Sequence, residues 1–361
     1  MKSLYVHIPF CDHICSYCDF AKVFYNEQWV EQYLEALSYE IKDKNLNGMY
    51  DTIYIGGGTP SSLSLQQLKR LLDILKPFSL STQEYTIEVN PESMDFDKLD
   101  LCIEYGINRL SIGVQTFHDN LLKHIQRYHS SLQAIELIKQ AKTKGIKDIN
   151  VDLIYGLPNQ TLNDVDEDIK RIRELDVSHV SIYSLILEEH TTLKKDGYIP
   201  LDDEQDALWY QHINDRLEEY GFKHYEVSNY YRGKPSLHNL TYWHYYDYDG
   251  VGLSAHSLKE HHRLENTRSL TQYLKHQYLD QDVELKKDDE LFEKVMMGLR
   301  LTDGINLEEI KQMYDVDVKV KYHNIIDKYI KLNMLIIEKN YLKTTRLGMN
   351  YLNDILVDFI E

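Results

Sequence analysis

The sequence is short of cysteine, of positive charge and of long apolar runs, and each shortage removes a class of protein. Four cysteines among 361 residues cannot frame a chain of this size with disulfides, so the thiols are expected to be reduced. Forty Lys and Arg stand against 58 Asp and Glu, a net charge of −18. Nucleic acid or an anionic membrane surface is therefore not an expected partner, outside a local basic patch. No stretch approaches the roughly 20 apolar residues of a bilayer-spanning helix. The chain enters a strand-like run by Leu4, which leaves no room for a signal or transit peptide and makes a cytoplasmic location the expectation.

What is present describes an ordinary globular chain, 43% apolar and 27% charged, long enough for one barrel-sized domain and a smaller one. Three of the four cysteines fall within eight residues as Cys11-x3-Cys15-x2-Cys18, directly after the run Tyr5–Phe10. Thiolates this close can share one metal centre, because soft sulfur ligands select iron–sulfur clusters, zinc or copper(I). A four-iron cluster normally takes four cysteines, so three leave one iron open to another ligand. A structural zinc site completed by His7 or His13 is the alternative, although zinc motifs usually come as two separated pairs and no second pair exists. Cys102 stands alone in an amphipathic helical segment and reads as a core residue. The cysteine spacing, with Tyr17 before the last thiol, resembles that of the radical S-adenosylmethionine (SAM) superfamily.

Up to about residue 190, β-like runs alternate with helical ones, as in parallel βαβ units. Strands are predicted near Leu4–Ile8, Thr52–Ile55, Tyr85–Asn90, Arg109–Val114, Ile149–Leu153 and His179–Ser184, with helices such as Leu65–Leu75 and Leu132–Lys144 between them. Within each strand one face is apolar and the other polar or small: Tyr85, Ile87 and Val89 oppose Thr86, Glu88 and Asn90, and Val151 and Leu153 oppose Asn150 and Asp152. A closed eight-stranded barrel fills its interior with Val, Ile and Leu. A polar interior points instead to an open (βα)6 partial barrel that holds a ligand. A sheet with one solvated face is the alternative, and suits antiparallel strands better.

Beyond residue 190 a helix is predicted over Asp203–Tyr220, then an extended run His224–Asn229, then a loop rich in aromatics and histidine from Gly233 to His256. From about 265 the pattern reads as helical, with a hairpin at Met334–Thr344 before a final helix. The expected organisation is an α/β partial barrel over 1–190, an extension over 191–264 and a mainly helical, winged-helix-like domain over 265–361.

Parallel α/β folds put their chemistry at the carboxyl ends of strands, and the informative motifs fall there. The second strand runs into Gly56-Gly57-Gly58-Thr59-Pro60, where glycines let backbone approach a ligand; a plain turn is the alternative reading. Glu88 and Asp152 are acids on inward faces and need partners, a ribose hydroxyl, a cation or a structural ion pair. Gln115 offers both a donor and an acceptor, and Arg127, with His129 beside it, could pair with a carboxylate.

Taken together, Tyr5-Val6-His7-Ile8-Pro9-Phe10-Cys11, the Gly56–Pro60 run, the Gln115 and Asp152 segments and Tyr225-Glu226-Val227-Ser228-Asn229 resemble the oxygen-independent coproporphyrinogen oxidase group. Within it they are most similar to the haem chaperone branch, HemW. The resemblance implies that Cys11, Cys15 and Cys18 ligate a [4Fe–4S] cluster whose fourth iron binds SAM. It implies that Tyr5, Gly57, Gly58, Thr59, Glu88, Gln115, Arg127 and Asp152 line the SAM site. The oxidases carry a fourth cysteine two positions after the third, where this chain has Phe20, and a longer segment before the motif. His238-Asn239-Leu240-Thr241-Tyr242-Trp243 matches the motif associated with haem binding in the chaperone branch and makes His238 the expected haem residue. The implied activity is haem binding and delivery to a haem-requiring membrane or respiratory client by a monomer or dimer, with decarboxylation of coproporphyrinogen III as the alternative. One departure is Gln126, where the family usually has glycine.

Overall fold

Six runs in which every second residue is Leu, Ile, Val or Tyr become six parallel strands: β1 (Ser3–Ile8), β2 (Thr52–Gly57), β3 (Glu84–Val89), β4 (Arg109–Gln115), β5 (Asp148–Tyr155) and β6 (His179–Ser184). The computed structural model describes residues 1–360. The six strands pair in sequence order through parallel registers such as Val6 with Ile55, Glu88 with Ser111 and Asp152 with Ser181. Because side chains alternate, these registers set the polar residues in rows on the concave face. The other face buries Leu4, Val6, Ile8, Ile53, Ile55, Ile87, Leu110, Ile112, Val151 and Val180 against the helices. A large-to-small change at such a site costs about 2–5 kcal/mol.

The helices between the strands start where the sequence supplies caps. Ser64 with Gln67, Ser130 with Gln133 and Thr161 with Asp164 form reciprocal capping boxes, each satisfying two of the orphan amides at a helix start. The helix Glu27–Asp43 turns Val30, Tyr33, Leu34, Leu37 and Ile41 inward.

The barrel does not close. Strand β6 pairs antiparallel with β8 (Asn229–Tyr231), which pairs with β7 (Lys223–Glu226); at the other end β1 pairs parallel with β9 (Tyr248–Val251), followed by β10 (His256–Lys259), β11 (His262–Asn266) and β12 (Leu279–Glu284). The result is one twelve-stranded open sheet ordered β12-β11-β10-β9-β1-β2-β3-β4-β5-β6-β8-β7.

Three sequence expectations are corrected beyond residue 190. The extended run His224–Asn229 is a tight hairpin, β7 and β8. The aromatic loop from Gly233 to His256 contains the helix Leu237–Trp243 and the strand β9. This helix is too short to show a period in sequence and is held by its cap Ser236 and by Glu84. The chain past 265 is not yet helical, since β12 extends the sheet and the first long helix is Lys287–Gly298. Every residue of β12 is exposed, so this edge strand carries no buried face to betray it.

The last segment has its own core of Leu291, Val295, Ile310, Ile326, Leu335, Leu342 and Ile355. Its expected hairpin is Leu335–Glu338 with Tyr341–Thr344, joined by Ile305–Asn306 in a three-stranded sheet. It docks on the β7–β8 hairpin, where Thr302 N donates to Tyr225 O at 3.0 Å.

Candidate functional site

The polar face of β1–β6 and the loops at their carboxyl ends enclose a cavity of about 500 Å³. Cys11, Cys15 and Cys18, together with Tyr5, Gly57, Gly58, Thr59, Glu88, Gln115, Arg127, Asp152 and His238, all line it. Residues from 5 to 238 in sequence thus meet in one place.

The cysteine loop is tied at its base. Phe10–Cys11 pairs with Val23–Phe24, Tyr25 N donates to Cys11 O at 2.9 Å, and Lys22 Nζ donates to Cys18 O at 2.6 Å. Ser16 links it to the rest of the barrel, its N–H donating to Ile125 O and its carbonyl accepting from Leu193 N. The three thiols are free. Thr59 Oγ1 donates to Cys11 Sγ at 3.4 Å and Arg127 Nη1 to Cys15 Sγ at 3.5 Å. Burial pushes the Cys11 thiol up to about 12 and raises Cys18, so each thiolate depends on a metal or a donor beside it.

These residues fit a multi-iron cluster better than one ion. Among the described residues no three Cys, His, Asp or Glu side chains are grouped as ligands of a single metal ion. His7, one of the two histidines that could complete a zinc site, has both nitrogens engaged, with Tyr5 OH at 3.0 Å and Ala21 O at 2.9 Å. The other, His13, is exposed and stacks on Tyr128. The backbone beside the thiols leaves no room for a side chain: a Cβ on Gly58 would lie 2.7 Å from the Pro9 carbonyl and 3.0 Å from Cys11 Sγ.

The glycine run and Glu88 act together. Glu88 accepts from Gly57 N at 3.0 Å and from Tyr54 OH at 2.8 Å, while a Cβ on Gly56 would meet its carboxylate at 2.9 Å. Burial raises Glu88 to about 7, with Asp152 adding to the rise and the bonds from Tyr54 and Gly57 opposing it. Asp152 accepts from Asn150 at 2.7 Å and Ser111 at 3.1 Å; burial lifts it too. Two acids on one cavity wall, each with lone pairs to spare, suit hydroxyl or amine donors on a ligand. Gln115 ends β4 at φ +68 beside a register shift, a left-handed conformation that redirects the strand end. Arg127 is buried and donates to Asn90 Oδ1 and to Gly113 O, while its Nε has no partner. An orphan donor of this kind is the mark of an absent acceptor.

His238 lies at the opposite end, on the cavity floor. It is 2% exposed. Its Nδ1 meets Thr52 Oγ1 and its Nε2 meets Tyr242 OH, both at 2.8 Å, and its ring stacks on Tyr54. Thr52 Oγ1 donates its own hydrogen bond to Ser3 Oγ, so it accepts from His238 Nδ1–H, and Nε2 accepts from Tyr242 OH. Burial lowers the ring to about 3, so it is neutral. With both nitrogens bonded, none faces an iron in this arrangement, which departs from the haem role implied for His238.

Tyr54, Asn90 and Arg109 also line the cavity, and sequence reasoning assigned them no role. Tyr54 sits between Ile53 and Ile55, so the inward face was readable; its bond to Glu88 was not.

The sequence matches the radical SAM superfamily over residues 5–172 and the HemN C-terminal domain over 285–351. It is 37% identical to the haem chaperone HemW of Lactococcus lactis over 99% of this chain and 97% of that one. It is 40% identical to the haem chaperone HemW of Bacillus subtilis over 87% of each. The chain belongs to the HemW family of radical SAM proteins. In fold it is similar to coproporphyrinogen III oxidase (HemN) of Escherichia coli, with a TM-score of 0.88 at 26% identity over 99% of this chain and 89% of that one. Family membership bears out the α/β partial barrel with its mainly helical C-terminal part, and the radical SAM match implies SAM and a [4Fe–4S] cluster. No helix among the described residues is long and apolar enough to cross a membrane.

Proposed function

We propose that this protein binds haem and delivers it to haem-requiring respiratory proteins, and that it works with a [4Fe–4S] cluster and SAM. The observation that carries the reading is the convergence of three free thiols and eight family-matched residues on one cavity. Cys11, Cys15 and Cys18 would hold the cluster, and Tyr5, Gly57, Gly58, Thr59, Glu88, Gln115, Arg127 and Asp152 would hold SAM. When bound, the pair would supply one-electron reductive chemistry. The chain's own residues do the rest. Gly57 and Gly58 bring backbone against the ligand, Glu88 and Asp152 accept from its hydroxyl or amino groups, and Arg127 keeps its positive charge beside Cys15.

The relatives that support this reading are named haem chaperones, whereas the structural relative is an oxidase. Phe20 favours the chaperone: it takes the place of the oxidases' extra cysteine and stands 72% exposed at the cavity mouth, an apolar surface where a thiol would be needed. The test is anaerobic reconstitution followed by SAM, reductant and coproporphyrinogen III, with a parallel haem titration. Stoichiometric haem uptake without protoporphyrinogen is the expected result. Several turnovers of protoporphyrinogen, or no haem retention, would retire the reading.

A further inference from the structure

The floor of the cavity holds a buried guanidinium whose donors meet no side chain, although Glu84 and Asp152 favour its charge from a distance. Arg109 begins β4, at the end of the barrel away from the cysteines, and is 4% exposed while lining the cavity. Among the described residues its guanidinium has no hydrogen bond and no carboxylate oxygen within 4.0 Å. Arg127, the other buried arginine of the cavity, differs in having Asn90, Gly113 and Cys15 as acceptors.

The groups around Arg109 are committed elsewhere. Glu84 accepts from Ser236 Oγ, Leu237 N and His238 N at 2.8–2.9 Å. Asp152 accepts from Asn150 and Ser111, and Glu88 from Tyr54 and Gly57. His179 has Nδ1 on Asn150 at 2.7 Å and Nε2 on Tyr225 OH at 3.0 Å, and His238 is bonded at both nitrogens. These carboxylates temper the charge from a distance, but none uses the guanidinium's donors. The planar fork of donors is left facing the cavity, and a carboxylate is the group whose geometry matches that fork.

We propose that Arg109 is a carboxylate-binding residue at the floor of the cavity, paired with a carboxylate of the bound ligand. This rests on the haem chaperone reading, which offers a propionate of haem as that carboxylate, since the amino-acid end of SAM belongs at the cluster's open iron, at the other end of the cavity. The cavity lining is continuous from the Arg109 floor to the Phe20 mouth.

The test uses anaerobically reconstituted wild type, Arg109→Gln and Arg109→Lys, with iron content and unfolding checked for each. Binding is measured for SAM against its decarboxylated analogue, and for haem against haem dimethyl ester. Arg109→Gln weakens haem binding at least tenfold, leaves that of haem dimethyl ester unchanged, and Arg109→Lys recovers part of the loss. Discrimination confined to the haem pair identifies a propionate; discrimination confined to the SAM pair overturns the assignment. An equal effect on both members of each pair, or none, overturns the assignment and leaves Arg109 a structural charge. A wild type that takes up neither SAM nor haem sinks the chaperone reading instead, so the two failures are distinct.

Discussion

His238→Ala tests whether the floor histidine is a packed structural group. The substitution removes a buried ring stacked on Tyr54 and two hydrogen bonds of 2.8 Å. Thr52 keeps its bond to Ser3, so the group left without its partner is the Tyr242 hydroxyl. Each lost bond is worth about 0.5–1.5 kcal/mol net, and an orphaned buried hydroxyl costs about 1–3 kcal/mol; the space left by the ring adds to this. The expected loss is about 3 kcal/mol in the protein without ligands, read as a lower urea midpoint by tryptophan fluorescence, with Trp243 on the same helix as reporter. A loss below about 1 kcal/mol would refute the reasoning. Tyr242→Phe completes a cycle, with a coupling to His238 of about 1 kcal/mol expected. Should His238 serve haem iron, as the motif implies, Tyr242→Phe tightens haem binding, because the hydroxyl competing for Nε2 is gone.

Gly58→Ala forces a methyl against the Pro9 carbonyl and Cys11 Sγ, and is expected to lower iron per chain severalfold after reconstitution while the far-ultraviolet circular dichroism is unchanged. Gln126 is exposed at φ +57, a conformation that costs an L-residue about 1–2 kcal/mol and glycine about 0.5–1 kcal/mol in chain entropy. Gln126→Gly therefore stabilises by up to about 1 kcal/mol, and a raised melting temperature checks it. Glu226 is buried and its carboxyl is raised to about 7 by burial. Between its ordinary value of 4.5 and about 7 the folded state keeps a proton that the unfolded chain has released, so this group's contribution falls as pH rises. Glu226→Gln is expected to match wild type near pH 4 and to exceed it by up to about 3 kcal/mol above pH 7; a constant difference across the range would count against this account.

The alternation of apolar and polar residues in six runs was enough to place β1–β6, their helices and the polar interior. Local rules govern those features: side chains alternate along a strand, capping boxes start helices, and a buried face must be apolar. Cys11-x3-Cys15-x2-Cys18 was legible for the same reason, since ligands within eight residues need no tertiary contact to be seen together. Gln126 was visible as a departure, but only the backbone showed that it occupies a left-handed position.

What tertiary structure decided begins where partners lie far apart in sequence. The run His238–Trp243 reads as a cofactor loop; folded, it is a helix held by Glu84, 154 residues earlier than His238, with its histidine locked between Thr52 and Tyr242. Strand β12 has no buried face, so only its pairing with β11 identifies it. Arg109 looks in sequence like any polar residue on an inward face. Its unused donors became visible only after the fold had committed Glu84, Glu88 and Asp152 to other donors, because whether a buried donor is paired depends on all its neighbours at once.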